Sequence, residues 1–330
     1  MINEFFTRLE AQNYPIRLNH SNNTMCLGSC FAVNIGSKLE QFKVPTVVNP
    51  LGTMFHPCAL SSLLSPEFEK IVDDERLLLE SDENFFHYAV HSDFYAPSPS
   101  ELKNKIRLAY HNIKKALSDT RCLIITIGTA WVFEHKRTGM LVASCHKQPA
   151  QEFNRRLLSL DETLYSLRSI RKNIPNDCLL VVSLSPVRHT RNGLVADRDS
   201  KSLLRYALFK ASKEFDNTVY FPSYEIMLDE LRDYRFFQKD LIHPNEQAIE
   251  IIWKRFVDEL FDTKSKEFFA VWQKILEGLA HRPRNRQSAA YLTHRIGLLK
   301  KMKEISQVDL SQEIKILKKD IQDTQDHLNR

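Results

Sequence analysis

Apolar and polar positions along this chain follow two periods, and the switches between them mark its elements. Met25-Cys26-Leu27 is a short apolar run ending at Gly28 and predicts a buried strand. Phe31, Ile35, Leu39 and Phe42 then recur at helical spacing, so a helix should follow directly. Residues 44–48 predict a second strand, closed by the turn Asn49-Pro50-Leu51-Gly52. Residues 55–99 lose this regularity, and short helices with the aromatic run Phe85-Phe86-His87-Tyr88 mark them as an insertion. Order returns with a helix over 101–117 and the strand Cys122-Leu123-Ile124-Ile125-Thr126, continuously apolar as in parallel sheets. Residues 131–133 and 140–143 predict a hairpin around Thr138-Gly139, and 153–171 a helix. The strongest strand is Leu179-Leu180-Val181-Val182-Ser183-Leu184, followed by a helix over 201–215 and a short strand at Val219-Tyr220-Phe221. Pro244 suits the first position of a helix running through Ile249, Ile252 and Phe256.

Strands alternating with helices predict an α/β fold with a parallel sheet covered on both faces. After about Asp262 the strands stop. Helices over 268–279 and 292–305 flank the loop His281-Arg282-Pro283-Arg284. Leu310, Ile314, Leu317, Ile321 and Leu328 then keep alternating steps of four and three, with Thr324 in the missing place, which is a heptad seam. Residues 1–262 therefore read as the α/β domain and 263–330 as a helical extension with a short coiled-coil segment. A helix this short is marginal alone. Its seam needs a partner, either the chain's own earlier helices or a second copy in a homo-oligomer.

At 330 residues the chain can bury a large core, and its 43% hydrophobic and 26% charged content is that of a soluble globular protein. No apolar run approaches the roughly 18 residues of a membrane span. The start Met1-Ile2-Asn3-Glu4-Phe5-Phe6 lacks the basic-then-apolar order of a secretory leader. Six scattered cysteines without a Cys-x-x-Cys pair point to reduced thiols in the cytoplasm rather than a zinc site or a disulfide framework. The +5 net charge resides in residues 264–330, where 14 basic side chains face 8 acidic ones. The body therefore has no electrostatic reason to bind nucleic acid. Membrane contact through Arg282, Arg284, Arg286, Lys300, Lys301 and Lys303 is not expected, because solvated basic faces are common.

Chemistry concentrates at the two ends of the α/β region. Cys30 should begin the first helix, where dipole and free amides lower a thiol pKa, unless it merely packs behind the strand. Ser29 offers a hydroxyl at the same place, or an N-cap. Asp240 and His243 form a carboxylate–histidine pair three residues apart, the arrangement that orients a general base. Read alone, the pair is better explained as a capping carboxylate and a surface histidine before Pro244. Gly52 and Gly128 follow predicted strands and can offer backbone N–H groups to an oxyanion, with Thr129 adding a hydroxyl. His91, His146 and His189 are too widely spaced for a metal motif. Each reads first as a surface or hydrogen-bonding residue. His146, beside Lys147, is the substrate-contact candidate among them, and Arg188 reads first as an exposed salt bridge and second as a contact for a carboxylate or phosphate.

The string Gly28-Ser29-Cys30-Phe31-Ala32 resembles the motif that names the GSCFA family. The resemblance runs through Asn49-Pro50-Leu51-Gly52, Thr126-Ile127-Gly128-Thr129-Ala130, Cys145-His146-Lys147 and Ser185-Pro186-Val187-Arg188. It continues in Tyr220-Phe221-Pro222-Ser223-Tyr224-Glu225 and Leu231-Arg232-Asp233-Tyr234, and ends at Asp240 and His243. That family looks like a branch of the SGNH or GDSL hydrolases, which implies a three-layer α/β/α sandwich and esterase or acyltransferase chemistry. In that register Cys30 takes the place of the nucleophile and Ser29 that of the preceding aspartate. Asp240 and His243 match the final block, and Gly52 the second-block glycine. Gly128-Thr129-Ala130 takes the third block without its oxyanion asparagine. The resemblance thus implies acyl ester hydrolysis or acyl transfer on a small-molecule or carbohydrate substrate, with no metal or organic cofactor. The contrasting expectation is a repurposed binding or assembly module, in keeping with the missing asparagine.

Overall fold

The computed structural model describes residues 7–14 and 16–329, so the stretch Met1-Ile2-Asn3-Glu4-Phe5-Phe6 lies outside the described residues. The chain forms two compact units, one of residues up to Leu18 with Asn22–Leu260, the other of Asn19–Ser21 with the residues from Phe261 onward.

In the first unit, strand β1 (Thr24–Gly28) runs into helix α1 (Cys30–Gln41) and returns to strand β2 (Thr46–Val48). Helices α2 (Pro57–Leu64) and α3 (Phe68–Asp73) precede a small antiparallel sheet of β3 (Leu78–Ser81), β4 (Asn84–His87) and β5 (Tyr95–Ala96). The irregular insertion expected at 55–99 is thus partly ordered. Phe85 and Phe86 sit in β4, a strand too short to show a period by itself. Helix α4 (Pro99–Ser118) leads to β6 (Cys122–Ile127), and then to a second antiparallel trio of β7 (Trp131–His135), β8 (Leu141–Val142) and β9 (Phe153–Leu157). The β7–β8 pair is the predicted hairpin.

β9 corrects the helix expected over 153–171. Phe153 to Leu157 pair along β7, and the helix α5 (Leu160–Lys172) starts only after a capping box in which Ser159 and Glu162 satisfy each other's backbone N–H groups. The chain continues through β10 (Leu179–Leu184), α6 (Gly193–Glu214), β11 (Thr218–Tyr220), the short α7 (Ser223–Glu225) and α8 (Glu246–Leu260). The last helix begins two residues beyond Pro244. That proline instead bridges to Phe237, and the Asn245 side chain accepts from the Ala248 amide at 3.0 Å.

β1, β2, β6, β10 and β11 form one parallel sheet in the order β11-β10-β6-β1-β2. With helices on its faces this is a three-layer α/β/α sandwich. β1, β6 and β10 are buried along their whole lengths, which explains their continuous apolar sequence. The strand order reverses between β1 and β6, and in open parallel sheets ligands bind beyond the carboxyl ends of strands at such a switch point.

The second unit is helical, with α9 (Thr263–Ala280), α10 (Ala289–Lys303) and α11 (Ser311–Leu328). Leu310, Leu317, Ile321 and Thr324 of the predicted seam are buried, and α11 packs on α10. Asp320 anchors that contact by accepting from the Tyr291 hydroxyl at 2.8 Å and pairing with Arg295. Most of the seam is therefore covered within the chain, while Ile314 is half-buried and Leu328 exposed. No helix among the described residues is long and apolar enough to cross a membrane.

Candidate functional site

The carboxyl end of β1 is built around Gly28, whose φ of +132° lies outside the range of ordinary side-chain-bearing residues. A Cβ there would stand 2.1 Å from the Thr126 carbonyl of β6, so only glycine lets the two strands approach. Asn49 braces the same residue by accepting from the Gly28 N–H at 2.8 Å and donating to its carbonyl at 3.2 Å.

Beyond this brace, Ser29 and Cys30 meet different surroundings. Ser29 is buried, and its N–H donates to the Thr126 carbonyl at 2.9 Å. Its hydroxyl lies 2.8 Å from that of Thr126 and accepts from the Phe31 N–H, capping α1. Cys30 is exposed, and its backbone N–H reaches no other residue among the described ones. Its thiol pKa is nevertheless raised, because partial desolvation outweighs the pull of its own amide. The lowered thiol pKa expected from the helix terminus is therefore corrected. Cys30 is mostly protonated at neutral pH.

The Asp240–His243 pair lies at the far end of the domain's sequence. Asp240 accepts from the Ile242 and His243 N–H groups at 2.9 and 3.1 Å, and from the His243 Nδ1–H at 2.7 Å. The His243 hydrogen bond, then the two amides, hold the Asp240 carboxyl down to about 2, so it is ionised at any working pH. With Nδ1 donating, His243 Nε2 is the basic nitrogen. The Arg188 N–H donates to the Ile242 carbonyl at 3.2 Å and its guanidinium to the Leu241 carbonyl at 3.1 Å, tying the turn to the segment after β10.

That segment rests on a fully buried lysine. Lys201 Nζ donates to the Ser185 and Val187 carbonyls at 2.7 and 2.9 Å, and burial pulls its pKa down to about 7 against the attraction of Asp197. Asp197 in turn accepts from the His189 N–H at 3.1 Å. His189 is pushed down to about 3 by burial, then by Lys201 and His243. A Cβ on Gly128 would lie 2.6 Å from His189 Nε2, so that glycine is required for packing. Asn49, Thr126 and Lys201 were not anticipated as parts of this edge. Lys201 had a sequence signal, since it shares an apolar helical stripe with Leu204, Leu208 and Ala211.

The other expected oxyanion donors are spent. Gly52 N–H closes the turn onto the Asn49 carbonyl at 2.8 Å. Gly128 and Thr129 both donate to the Phe55 carbonyl, at 2.7 and 3.2 Å. The buried Thr129 hydroxyl lies 3.1 Å from that of Ser200 and accepts from the Trp131 N–H. His146 is likewise corrected from substrate contact to buried strut. Its Nε2 donates to the His87 carbonyl at 2.9 Å, its Nδ1 accepts from the Ser92 hydroxyl at 3.2 Å, and burial lowers its pKa to about 4. His91 lies against Gly52 and pairs with Asp93.

The fold and this edge define a doubly wound α/β domain that carries an exposed cysteine after its first strand and a hydrogen-bonded Asp240–His243 pair. The model of the GSCFA family matches residues 23–256, and that of the GSCFA domain protein, C-terminal domain, matches 272–323. The chain belongs to the GSCFA family. No curated protein matches it significantly.

Proposed function

We propose that this GSCFA protein is an SGNH-like acyl hydrolase or acyltransferase with Cys30 as nucleophile, His243 as general base and Asp240 as its orienting carboxylate. The observation that carries this reading is the division of labour after β1: the Ser29 hydroxyl is consumed by Thr126 and the α1 cap, whereas Cys30 is exposed. In the first step the Cys30 sulfur attacks the acyl carbon as its proton passes to His243 Nε2. The C–O bond then breaks, and the leaving alkoxide takes that proton, leaving a thioester. Water or an acceptor hydroxyl attacks the thioester, its proton passing through His243 to the departing sulfur. The Cys30 amide is the oxyanion donor that no other residue occupies. An O-acyl carbohydrate is the substrate class that the SGNH resemblance favours, and the six free cysteines suit a reducing cytoplasm.

The raised thiol pKa supports a base-dependent nucleophile over a preformed thiolate. Incubation with aryl acetates and O-acetylated sugars, followed by acid quench and intact mass measurement, should trap one acyl group on Cys30. Deacylation or acyl transfer should be absent in Cys30→Ala. A folded protein that neither acquires the acyl group nor releases product would instead favour a binding module. The committed amides of Gly52, Gly128 and Thr129 speak for that alternative.

A further inference from the structure

Three arginines drawn from separate segments border one cavity of about 330 Å³ beside the Asp240–His243 turn: Arg188, Arg198 and Arg232. None forms an ion pair with a carboxylate among the described residues. Arg188 is the fixed member. Its guanidinium lies over the rings of Phe237 and Tyr234, 4.0 and 5.5 Å from their centroids, and spends one nitrogen on the Leu241 carbonyl. The remaining N–H donors of its fork have no partner among the described residues. Arg198 holds the Tyr224 hydroxyl with one nitrogen, and Arg232 is exposed and uncommitted. Two aspartates also line the cavity, but Asp233 is turned to its neighbour, accepting from the Arg235 N–H at 2.8 Å, which leaves Asp229 facing three guanidiniums. One wall is the π-helical turn Ile226–Glu230, a rare geometry that recurs at functional sites.

The geometry points to a subsite for an oxyanion, a carboxylate or phosphate carried on a sugar-sized ligand. Arginine forks bind both groups through paired N–H donors, and the exposed Tyr234 ring offers a face to the sugar. The cavity is of the size that small ligands occupy. Its role as a substrate pocket rests on the acyl-transfer reading, whereas its affinity for the anion does not. Arg188 joins the two sites, because the residue that presents its guanidinium to the cavity also holds the carbonyls on either side of the Leu241–Ile242 peptide, next to His243.

Titration calorimetry of the full chain with glucuronate, glucose 6-phosphate and glucose tests this without turnover. At least one anionic sugar should bind ten-fold or more tightly than glucose, and the preferred one identifies carboxylate or phosphate. Arg232→Ala should weaken that binding ten-fold or more, and Arg232→Lys should restore part of it. Arg121→Ala, which removes a charge paired with Asp177 before β6 at the opposite end of the sheet, should leave it unchanged. Anions binding no better than glucose, or an equal loss in Arg121→Ala, would overturn the subsite. Cys30→Ala should bind the anion as the native chain does. Anion binding in a chain that turns over no acyl ester would leave the subsite standing and sink the catalytic reading. Acyl turnover without anion preference would do the reverse.

Discussion

His243 and His146 belong to the same domain and to the same set of sequence motifs, yet the fold treats them oppositely. His243 sits at an open edge with one ring nitrogen fixed by an ionised carboxylate and the other uncommitted. His146 is buried under the inserted strands, both nitrogens bonded, and held neutral far below its ordinary pKa. His56 shares its condition, with both nitrogens bonded, and burial drives His56 and His87 alike to about 4. A histidine becomes a base only where its proton can leave and return. Inside the insertion that exchange would put an uncompensated charge into apolar surroundings, so these rings serve as rigid hydrogen-bonding struts.

The sharpest way to break this contrast is to remove each ring. His243→Ala and Cys30→Ala should each lower acyl turnover by about 10³-fold or more with unchanged thermal unfolding, and the double variant should be little worse than either. His146→Ala should instead cost about 2–4 kcal/mol of stability in urea unfolding, while the folded fraction keeps its activity. A His146 variant that is stable but inactive would reverse the assignment.

Acid should separate the two classes next. His56, His87, His146 and His189 all have folded pKa values of about 3 to 4, below the ordinary 6.5. The unfolded chain therefore binds more protons between those limits. The stability they contribute is complete above about pH 6.5 and is lost as pH falls toward 4. Each histidine adds a slope of up to about 1.4 kcal/mol per pH unit. Unfolding free energies measured from pH 7 to 4.5 should fall steeply, and more shallowly in His146→Phe. A flat profile would mean that these rings are already charged in the fold.

Ser29→Ala tests the nucleophile at smaller scale. Loss of an N-cap costs about 1 kcal/mol, and turnover should fall less than ten-fold. A 10³-fold loss would move the nucleophile to Ser29. The smallest effect on chemistry is expected from truncation after Ile305. It strips α11 from α10, so the shortened chain should associate or lose helicity in light scattering and circular dichroism. The first unit should keep its acyl turnover per folded molecule.

Local sequence was informative where local forces decide. The apolar runs of β1, β6 and β10 read directly as buried parallel strands because both of their faces are covered. The hairpin at Thr138-Gly139 was legible from its turn. Residues 153–157 were not, since Phe153 and Leu157 are spaced as on a helix and only pairing along β7 makes them a strand. The α8 start was misplaced for a similar reason, because the Phe237–Pro244 bridge holds the proline outside the helix.

The candidate site divides along the same line. By itself the sequence determined the sheet's strands, the glycine-then-cysteine step into α1, and the Asp240–His243 spacing, all set by backbone geometry within a few residues. Only the tertiary structure decided that Ser29 is consumed by Thr126, some 97 positions away, and that Cys30 is left exposed with a raised pKa. It likewise decided that the amides of Gly52, Gly128 and Thr129 are spent, that Lys201 is buried beneath the segment after β10, and that three arginines from separate segments border one cavity. Burial and hydrogen-bond partners are properties of neighbours in space. A residue's chemistry follows from them, and only the completed fold chooses those neighbours.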